Sequence, residues 1–437
     1  MSRKLAPSVW GSRKEEVMKV VSVVAHRMIL VILAVFMPLF FLAGSALGDE
    51  HERDEGSGAV YVMTNQASGN TVVMFRRAAD GSLVRRVEVA TGGLGSGPGV
   101  LPPPLPPNPG PDPLQSQDAM VSTENGRFLL MVNSGSNDIS VLAVNEQGLT
   151  LVDRVSSGGV FPVSLAIHKN LVYALNEGES PDHIQGGTSN IKGFLLDAAG
   201  KLHEIPDSTS VLGTDTGASQ ILFSPNGKQL IVTEMFTNQI DVFQMGAGGL
   251  AAHKVSLPSN APTPFGATFG RQNILAITEI HVITVNGRRQ GVANASTVSS
   301  YRLSDAGTLQ LISKSVPSNK TGSCWTRFSK DGRFAYTSDT GSGTISVFSS
   351  ANGDLSLVGP VSTGGAFSGP LDMDITPDGK FIYVVGALTQ VAHVPPILPL
   401  PPTPGRVQGY RVESDGSLTP VATVGGIPFS AQGIVAR

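Results

Sequence analysis

Carboxylates and amides recur at one position of an internal repeat, where a short β-rich run ends. Glu234 and Glu279 stand there, and Glu is a poor turn former, so a carboxylate at this position is a candidate general base. The same position elsewhere holds Asn65, Asn133, Asn176 with Glu177, and Asp339. A ring of such oxygen atoms suits a polar ligand or a hard cation such as Ca²⁺. The alternative is that these residues only cap strands and turns.

Arg327 and Asp374 occupy equivalent places in neighbouring repeats, each five residues before a turn glycine, Gly332 or Gly379. This spacing predicts an ion pair between adjacent inner strands, since a buried charge requires a partner. Within a catalytic site, Arg327 would hold an oxyanion and Asp374 would contact the ligand. The alternative is a purely structural pair.

One predicted loop combines His281 with Arg288 and Arg289, a set that could bind a carboxylate or could simply be solvated. The chain has no metal-spaced His/Cys cluster, no phosphate-binding loop and no Gly-x-Ser-x-Gly elbow. We therefore expect no required cofactor, with Ca²⁺ the one ion that the oxygen-rich positions suit. The single cysteine, Cys324, is predicted to be a buried thiol and excludes an intramolecular disulfide.

A ten-residue pattern defines the elements that must position these side chains. Its copies begin at Thr123, Ser224, Ser329 and Thr376, and each places Asp-Gly or Asn-Gly between an apolar run and a β-rich run. This is a hairpin signature, and a repeat of roughly 45 to 55 residues built from hairpins indicates a radial array of sheets. The sequence predicts an all-β fold, a seven-bladed β-propeller whose blades each contain strands A (inner), B, C and D (outer).

The strand count predicts how the ring closes. Seven inner strands are expected near Asp118–Ser122, Ser164–His168, Ser219–Phe223, Gly266–Phe269, Trp325–Phe328, Leu371–Ile375 and Ala431–Val435. The first three strands of the propeller, near Ala59–Thr64, Thr71–Arg76 and Leu83–Val89, have no inner strand before them. The last inner strand is therefore expected to complete their sheet, which removes the open edges of the ring.

Long connections fall almost entirely between D and A or between B and C, which emerge on the same face of a propeller. We expect binding or catalysis on this loop-rich face, because rigid scaffolds present functional residues on loops. The alternative is that insertions accumulated there without a function. Two of these loops, 101–113 and 394–404, are rich in proline and are expected to be extended and stiff. They would serve as a lid, a docking surface or plain spacers.

The amino terminus is typical of a targeting segment, with six basic residues before or at the start of an apolar run over 28–43. We expect residues 1–48 to be a signal peptide and the protein to be secreted, periplasmic or extracellular; the alternative is an N-terminal membrane anchor. Residues 49–57 would form a short linker and 58–437 the propeller. Without residues 1–48 the chain has 25 basic and 32 acidic residues, a formal charge of −7. This charge disfavours nucleic acid as a partner, and we expect a monomer.

The repeat Pro377-Asp-Gly-Lys-Phe-Ile-Tyr-Val-Val, with Ile345-Ser-Val-Phe and Asp415-Gly-Ser-Leu-Thr-Pro-Val in the C and D positions, resembles the seven-bladed lactonase family. That family includes 6-phosphogluconolactonase-like, 3-carboxymuconate cyclase-like and YVTN-repeat proteins. The resemblance covers about residues 58–437. Enzymatic members often carry Arg-His or His-x-His where the inner strands begin, and the corresponding positions here have no His. No catalytic residue is therefore carried over from the family.

Two functions are consistent with these observations. The resemblance implies a lactonase-like enzyme, or a lactone-forming cycloisomerase, with Glu234 or Glu279 as base and Arg327 or the Arg288 region as the cation. The missing His residues favour a non-catalytic module that binds a small polar molecule or a protein partner at the cell surface. The ligand-binding candidates are Asn133, Asn176, Glu177, His281, Arg288, Asp339 and Asp374.

Overall fold

Antiparallel hairpins account for nearly all regular structure in this chain. The computed structural model describes residues 58–100, 109–110, 112–146, 148–178, 187–285, 288–364, 369–386 and 404–437, all within one unit, Gly56–Arg437. The predicted targeting segment and linker lie outside the described residues, as do most of the two Pro-rich loops. Among the residues described, no helix has the length and apolar character that a membrane span requires.

Seven sheets follow one another around a central channel, and each runs from an inner to an outer strand. Blade 1 contains Met120–Ser122, Phe128–Asn133, Asp138–Asn145 and Gly148–Ser156; blade 2 contains Pro162–His168, Leu171–Asn176, Thr188–Leu196, Leu202–Glu204 and Ser210–Thr214; blade 3 contains Ala218–Phe223, Gln229–Glu234, Gln239–Met245 and Ala251–Pro258. Blade 4 contains Pro264–Phe269, Ile274–Glu279, Thr297–Leu303 and Leu309–Pro317; blade 5 contains Ser323–Phe328, Phe334–Asp339, Thr344–Ala351 and Asp354–Ser362; blade 6 contains Pro370–Ile375, Phe381–Gly386, Gly405–Val412 and Leu418–Ile427. Blade 7 contains Ile434–Ala436, Gly58–Met63, Thr71–Arg77 and Leu83–Ala90.

The all-β, seven-bladed prediction is confirmed, with one local difference. In blade 2 the outer position is shared by two short strands, Leu202–Glu204 and Ser210–Thr214, because the chain leaves the sheet between them. Outside the blades, Gly99–Val100 pairs with Pro109–Gly110, and Val282–Val285 pairs with Arg288–Gly291. Two short 3-10 turns, Ala247–Gly249 and Arg271–Asn273, complete the regular elements of the described residues.

The ring closes as the strand count predicts. Ile434–Ala436 pairs antiparallel with Gly58–Met63, with Val62 opposite Ile434 and Val60 opposite Ala436. The inner strand of blade 7 also contacts the inner strands of both blade 6 and blade 1. Closure by a strand from the other end of the chain supplies the inner strand of blade 7 and covers the inner edge of Gly58–Met63.

The repeated Asp-Gly and Asn-Gly turns are held by their own side chains. In blade 6 the Thr376 hydroxyl oxygen accepts the Phe381 N–H at 3.1 Å, and the Asp378 carboxylate accepts the Lys380 N–H at 3.0 Å. Gly379 follows with φ +76, a left-handed conformation that glycine adopts without steric cost. The same contacts recur in blades 1, 3 and 5, which explains why the motif is the clearest repeat in the sequence.

Tyrosines on the B strands join neighbouring blades. The hydroxyl of Tyr173 donates to the carbonyl of Gly249 at 2.8 Å, and that of Tyr383 donates to the carbonyl of Gly81 at 2.7 Å. Tyr336 makes the same contact with Gly416 at 3.2 Å. Each acceptor lies in the C–D turn of the following blade, so a buried ring packs between two sheets while its hydroxyl is satisfied.

Cys324 lies in the inner strand of blade 5 and is buried, as predicted. Burial raises the pKa of its thiol well above the ordinary value, which disfavours the thiolate. The cysteine therefore has the environment of an inert core residue.

Candidate functional site

A short segment of chain, Asp112–Gln117, fills the half of the channel next to the long loops; we call it the plug segment. Its last side chain, Gln117, is fully buried. The Gln117 amide donates to the carbonyls of Ala267 and Thr326, both at 3.1 Å, and accepts the Thr326 N–H at 2.9 Å. One amide from the plug segment therefore bridges the neighbouring inner strands of blades 4 and 5.

Other hydrogen bonds fix the plug segment to the start of the inner strands. The Ser116 carbonyl accepts Trp325 Nε1–H at 2.7 Å and Gln432 Nε2–H at 2.9 Å. The segment needs such support because residues in and next to it have positive φ angles, namely Asp112, Gln115 and Asp118. The channel is thus closed by the protein's own chain at the end where the long loops emerge.

The other half of the channel contains a cavity of about 360 Å³. It opens where the A–B turns lie, on the face opposite the long loops. Its lining includes the charged and polar side chains Asp118, Ser122, His168, Arg327, Asp374 and Arg437. Apolar residues of the inner strands, such as Leu165 and Ile221, complete the wall. A concave site with a few convergent polar groups is the usual form of a small-molecule site.

Arg327 lies at the centre of the charged wall. Its Nη2 donates to Asp118 Oδ1 at 2.5 Å and its Nε donates to Asp374 Oδ1 at 3.4 Å. The predicted pair with Asp374 is therefore present, and Asp118 is a third member. Burial alone lowers the pKa of Arg327, but the charges of Asp118, Asp374 and Asp372 outweigh burial and raise this pKa. The guanidinium stays charged because carboxylates surround it.

The carboxyl groups around Arg327 differ in their other partners. Asp374 Oδ2 accepts the Ala436 N–H at 2.9 Å, and Asp118 Oδ2 accepts a hydrogen bond from Gln220 at 2.6 Å. Asp372 Oδ1 accepts the Met373 N–H, while its Oδ2 has no hydrogen-bond partner among the described residues. Burial raises the pKa of both Asp372 and Asp374, and Arg327 opposes that rise.

Glu234 and Glu279 lie at the ends of B strands, as predicted, but neither lines the cavity. Glu234 Oε2 accepts the Thr237 hydroxyl at 2.5 Å, and Glu279 Oε2 accepts the Thr297 hydroxyl at 2.5 Å. Burial raises the pKa of Glu279 and raises that of Glu234 to about 7. The structure therefore separates these two carboxyls from Arg327, with which they were expected to act.

The other B-strand ends are buried, and their hydrogen bonds are made within their own blade or to the connections between blades. Asn133 donates to Asp138 at 2.6 Å and to Ser140 at 2.8 Å, and Asp339 accepts the Ser323 hydroxyl at 2.6 Å. The remaining members of this set behave alike: Asn65 donates to Ser96, Asn176 donates to the Ser157 carbonyl, and Glu177 is buried. These side chains join strands and loops within and between blades.

The loop after the B strand of blade 4 is only partly described. His281 Nε2 lies 3.1 Å from the Thr297 hydroxyl, and burial lowers the pKa of this imidazole. The backbone of Arg288 lies in the strand Arg288–Gly291, and its side chain is outside the part of the chain that the structure describes. Within the described ranges, no group of three or more His, Cys, Asp or Glu could hold a metal ion.

Three residues of the cavity were not singled out from the sequence. Asp118 comes eight residues before its turn glycine, Gly126, so it does not share the position of Arg327 and Asp374. His168 precedes a Lys-Asn turn that lacks the glycine used for alignment. Arg437 follows the strand that closes the ring. The repeat identified Arg327 and Asp374 because both lie five residues before a turn glycine, and it could not identify residues at other positions.

Comparison with known proteins supports the fold and its family resemblance. The family described as "Lactonase, 7-bladed beta-propeller" matches residues 105–185 and 290–394. The resemblance stated from the repeats is confirmed over these two segments, which together make up less than half of the chain. No curated protein sequence matches this chain.

Solved structures with the same fold share little sequence with this protein. The periplasmic gluconolactonase PpgL of Pseudomonas aeruginosa is 16% identical with a TM-score of 0.57, over 87% of this chain and 98% of that one. A Bacteroides uniformis protein, provisionally named a 6-phosphogluconolactonase, is 18% identical with a TM-score of 0.56, over 86% of this chain and 99% of the other. At such identities the similarity establishes the propeller fold and leaves the activity to be argued from the site.

Proposed function

We propose that this protein hydrolyses the ring ester of a small, uncharged, polar lactone in the channel cavity. The observation that carries this proposal is the convergence of His168, Arg327, Asp374 and Arg437 on one cavity of about 360 Å³. The similarity to the lactonase family supports the reaction class, and the shape of the site supports a ligand the size of a single sugar ring.

The charges of the cavity favour an uncharged ligand. Asp118 and Asp374 contribute two carboxylates to the wall, and Arg327 and Arg437 contribute two guanidinium groups. Because Arg327 is already paired with both carboxylates, little positive potential remains for a phosphorylated or carboxylated ring. Hydroxyl groups of a sugar lactone can instead donate to the carboxylates and accept from Ser122 or Arg437.

In this mechanism His168 acts as the general base. It lies at the mouth of the cavity and packs against Phe223, with ring centroids 6.0 Å apart. It would take a proton from the water that attacks the ring carbonyl and return it to the leaving alkoxide oxygen, so the ester C–O bond breaks and a hydroxy acid forms. Arg437 lines the same cavity, so its guanidinium group can donate to the developing oxyanion.

Ring opening by purified protein tests this proposal. We expect turnover of uncharged sugar lactones and at least about tenfold lower kcat/KM for phosphorylated sugar lactones and carboxylated muconolactones. We expect His168→Ala to reduce kcat by about a hundredfold or more, and Asp305→Asn, a surface control, to have no effect. Faster turnover of the charged lactones would refute the substrate class.

A second function is ligand binding without catalysis. It is favoured because the guanidinium group of Arg327 is already hydrogen-bonded to carboxylates of the protein. Its Nη2 and Nε both donate to carboxylates, so the residue can define the shape of a pocket without taking part in a reaction. A ligand that binds in the cavity but is recovered unchanged would support this alternative. Export, a monomeric state, Ca²⁺ binding and a protein partner on the loop-rich face remain proposals that derive from the sequence alone.

A further inference from the structure

In blades 1, 4 and 5 the residue at the end of the B strand forms a hydrogen bond with a hydroxyl group from the C strand of its own blade. In blade 1, Asn133 contacts the Ser140 hydroxyl at 2.8 Å; in blade 5, Asp339 accepts the Ser346 hydroxyl at 2.7 Å. In both blades the partner comes seven residues after the acid or amide. In blade 4 the Glu279 carboxylate accepts the Thr297 hydroxyl from the C strand. The C-strand hydroxyl donates to the buried carboxylate in blades 4 and 5, whereas in blade 1 it accepts from the Asn133 amide.

Blade 3 departs from this pattern. The residue seven positions after Glu234 is Asp241, a second carboxyl where blades 1 and 5 have a serine. The register pairs Val232 with Asp241 and Glu234 with Gln239, so Glu234 and Asp241 are diagonal neighbours on one face of the sheet. Glu234 is only 4% exposed and Asp241 only 1% exposed. Two acidic groups are thus buried side by side.

Each carboxyl has one oxygen that is satisfied and one that is not. Glu234 Oε2 accepts the Thr237 hydroxyl, and Asp241 Oδ2 is 3.1 Å from Lys254 Nζ. Glu234 Oε1 and Asp241 Oδ1 are buried and have no donor among the described residues. A proton between the two carboxyls would satisfy both of these oxygens with a single hydrogen bond.

Charge balance leads to the same conclusion. Lys254, from the outer strand, is the cation that contacts the pair, and one cation cannot neutralise two buried carboxylates. The inner strands Ala218–Phe223 and Pro264–Phe269, which pack against this sheet, contribute no titratable side chain. We propose that Glu234 and Asp241 share one proton in the folded protein, and that blade 3 loses stability when the pH rises enough to remove it.

The pH range follows from the direction of the shift. Burial raises the pKa of Glu234 from 4.5 to about 7, with Thr237 opposing the rise and Asp241 adding to it. Because the folded state holds this proton more tightly than the unfolded state, the stabilising effect is complete below about pH 4.5. It declines as the pH rises and is lost above about pH 7. The loop after Glu234 carries Thr237 and Asn238, so the change is expected to loosen this part of the loop-rich face.

The test compares thermal unfolding at pH 5 and pH 8 for wild type, Glu234→Gln and Asp241→Ser. Gln supplies a permanent N–H in place of the shared proton, and Ser restores the residue of blades 1 and 5. We expect the wild-type Tm to fall by about 3 °C more than that of either variant over this range. The pKa values of Glu279 and Asp339 are also raised, and both residues are present in wild type and in all three variants. The effect of the shared proton is therefore measured as the Tm change of wild type between pH 5 and pH 8 minus that of the variant. Asp305→Asn, an exposed charge removal, should follow wild type.

Two outcomes would overturn the proposal. If Glu234→Gln and wild type lose the same number of degrees between pH 5 and pH 8, the pair does not share a titrating proton. If added Ca²⁺ raises the wild-type Tm at pH 8 and this gain disappears in Asp241→Ser, the two carboxylates hold a cation instead. Should Asp241→Ser fail to fold, Glu234→Gln still decides between these results, because it retains the ion pair of Asp241 with Lys254.

Discussion

Replacing Arg327 by Leu is expected to destabilise the propeller by about 3–5 kcal/mol at neutral pH, measured by denaturant unfolding. The change removes the guanidinium group that pairs with both Asp118 and Asp374 in the channel. Asp372 is buried beside them and loses the same compensating charge. We expect the defect to shrink in acid, because protonated carboxyls no longer need the guanidinium.

Arg333→Leu is the matched control for this prediction. Arg333 also pairs with an aspartate, at 2.5 Å from Asp331, but both side chains are exposed, and such pairs contribute less than about 1 kcal/mol. Equal losses for Arg327→Leu and Arg333→Leu would show that the channel network is solvated and does not require its cation. A large loss only at Arg327 would establish the network as part of the core.

Deleting residues 429–437 is expected to abolish cooperative unfolding and cause aggregation. The deletion removes the inner strand of blade 7, whose residues Ile434, Val435 and Ala436 are buried. Full burial of each larger apolar side chain contributes about 1.5–3 kcal/mol. Loss of these contacts and of the strand's hydrogen bonds is therefore expected to remove most of a typical free energy of unfolding of about 5–15 kcal/mol. The exposed edge of Gly58–Met63 would then be free to pair with other chains.

Ile434→Ala separates loss of packing from loss of closure. It leaves the strand in place and should cost about 2–5 kcal/mol while unfolding stays cooperative. Calorimetry and light scattering distinguish the two proteins. A truncated chain that melts at the wild-type temperature would disprove the role of this strand in closing the ring.

The blade architecture could be predicted because its information is local. A turn such as Thr376 to Lys380 carries its own hydrogen bonds, and its glycine has a φ that other residues rarely adopt. Counting such turns was sufficient to number the blades and to infer ring closure. The division of the outer position in blade 2 was not predicted, because strands Leu202–Glu204 and Ser210–Thr214 are short and lack a turn signature.

The candidate site could be predicted only in part. Arg327 and Asp374 share one repeat position and were paired from the sequence, and the structure brings them together. Asp118 directly follows the plug segment, which enters the channel. Because the plug segment is not part of the repeat, the repeat does not predict where Asp118 lies. Burial of Glu234 was also invisible in the sequence, because it depends on how the loop after its strand folds back.

Which face of the propeller carries the chemistry is the central question. The long connections predict chemistry on the loop-rich face, whereas the channel cavity opens at the A–B turns. The most direct measurement is the initial rate of ring opening on uncharged sugar lactones by wild type, His168→Ala and Glu234→Gln, with folding of each protein verified. We expect turnover by wild type and a loss in His168→Ala about a hundredfold larger than the loss in Glu234→Gln. The reverse order would contradict the channel site and place the base at the end of the blade 3 B strand.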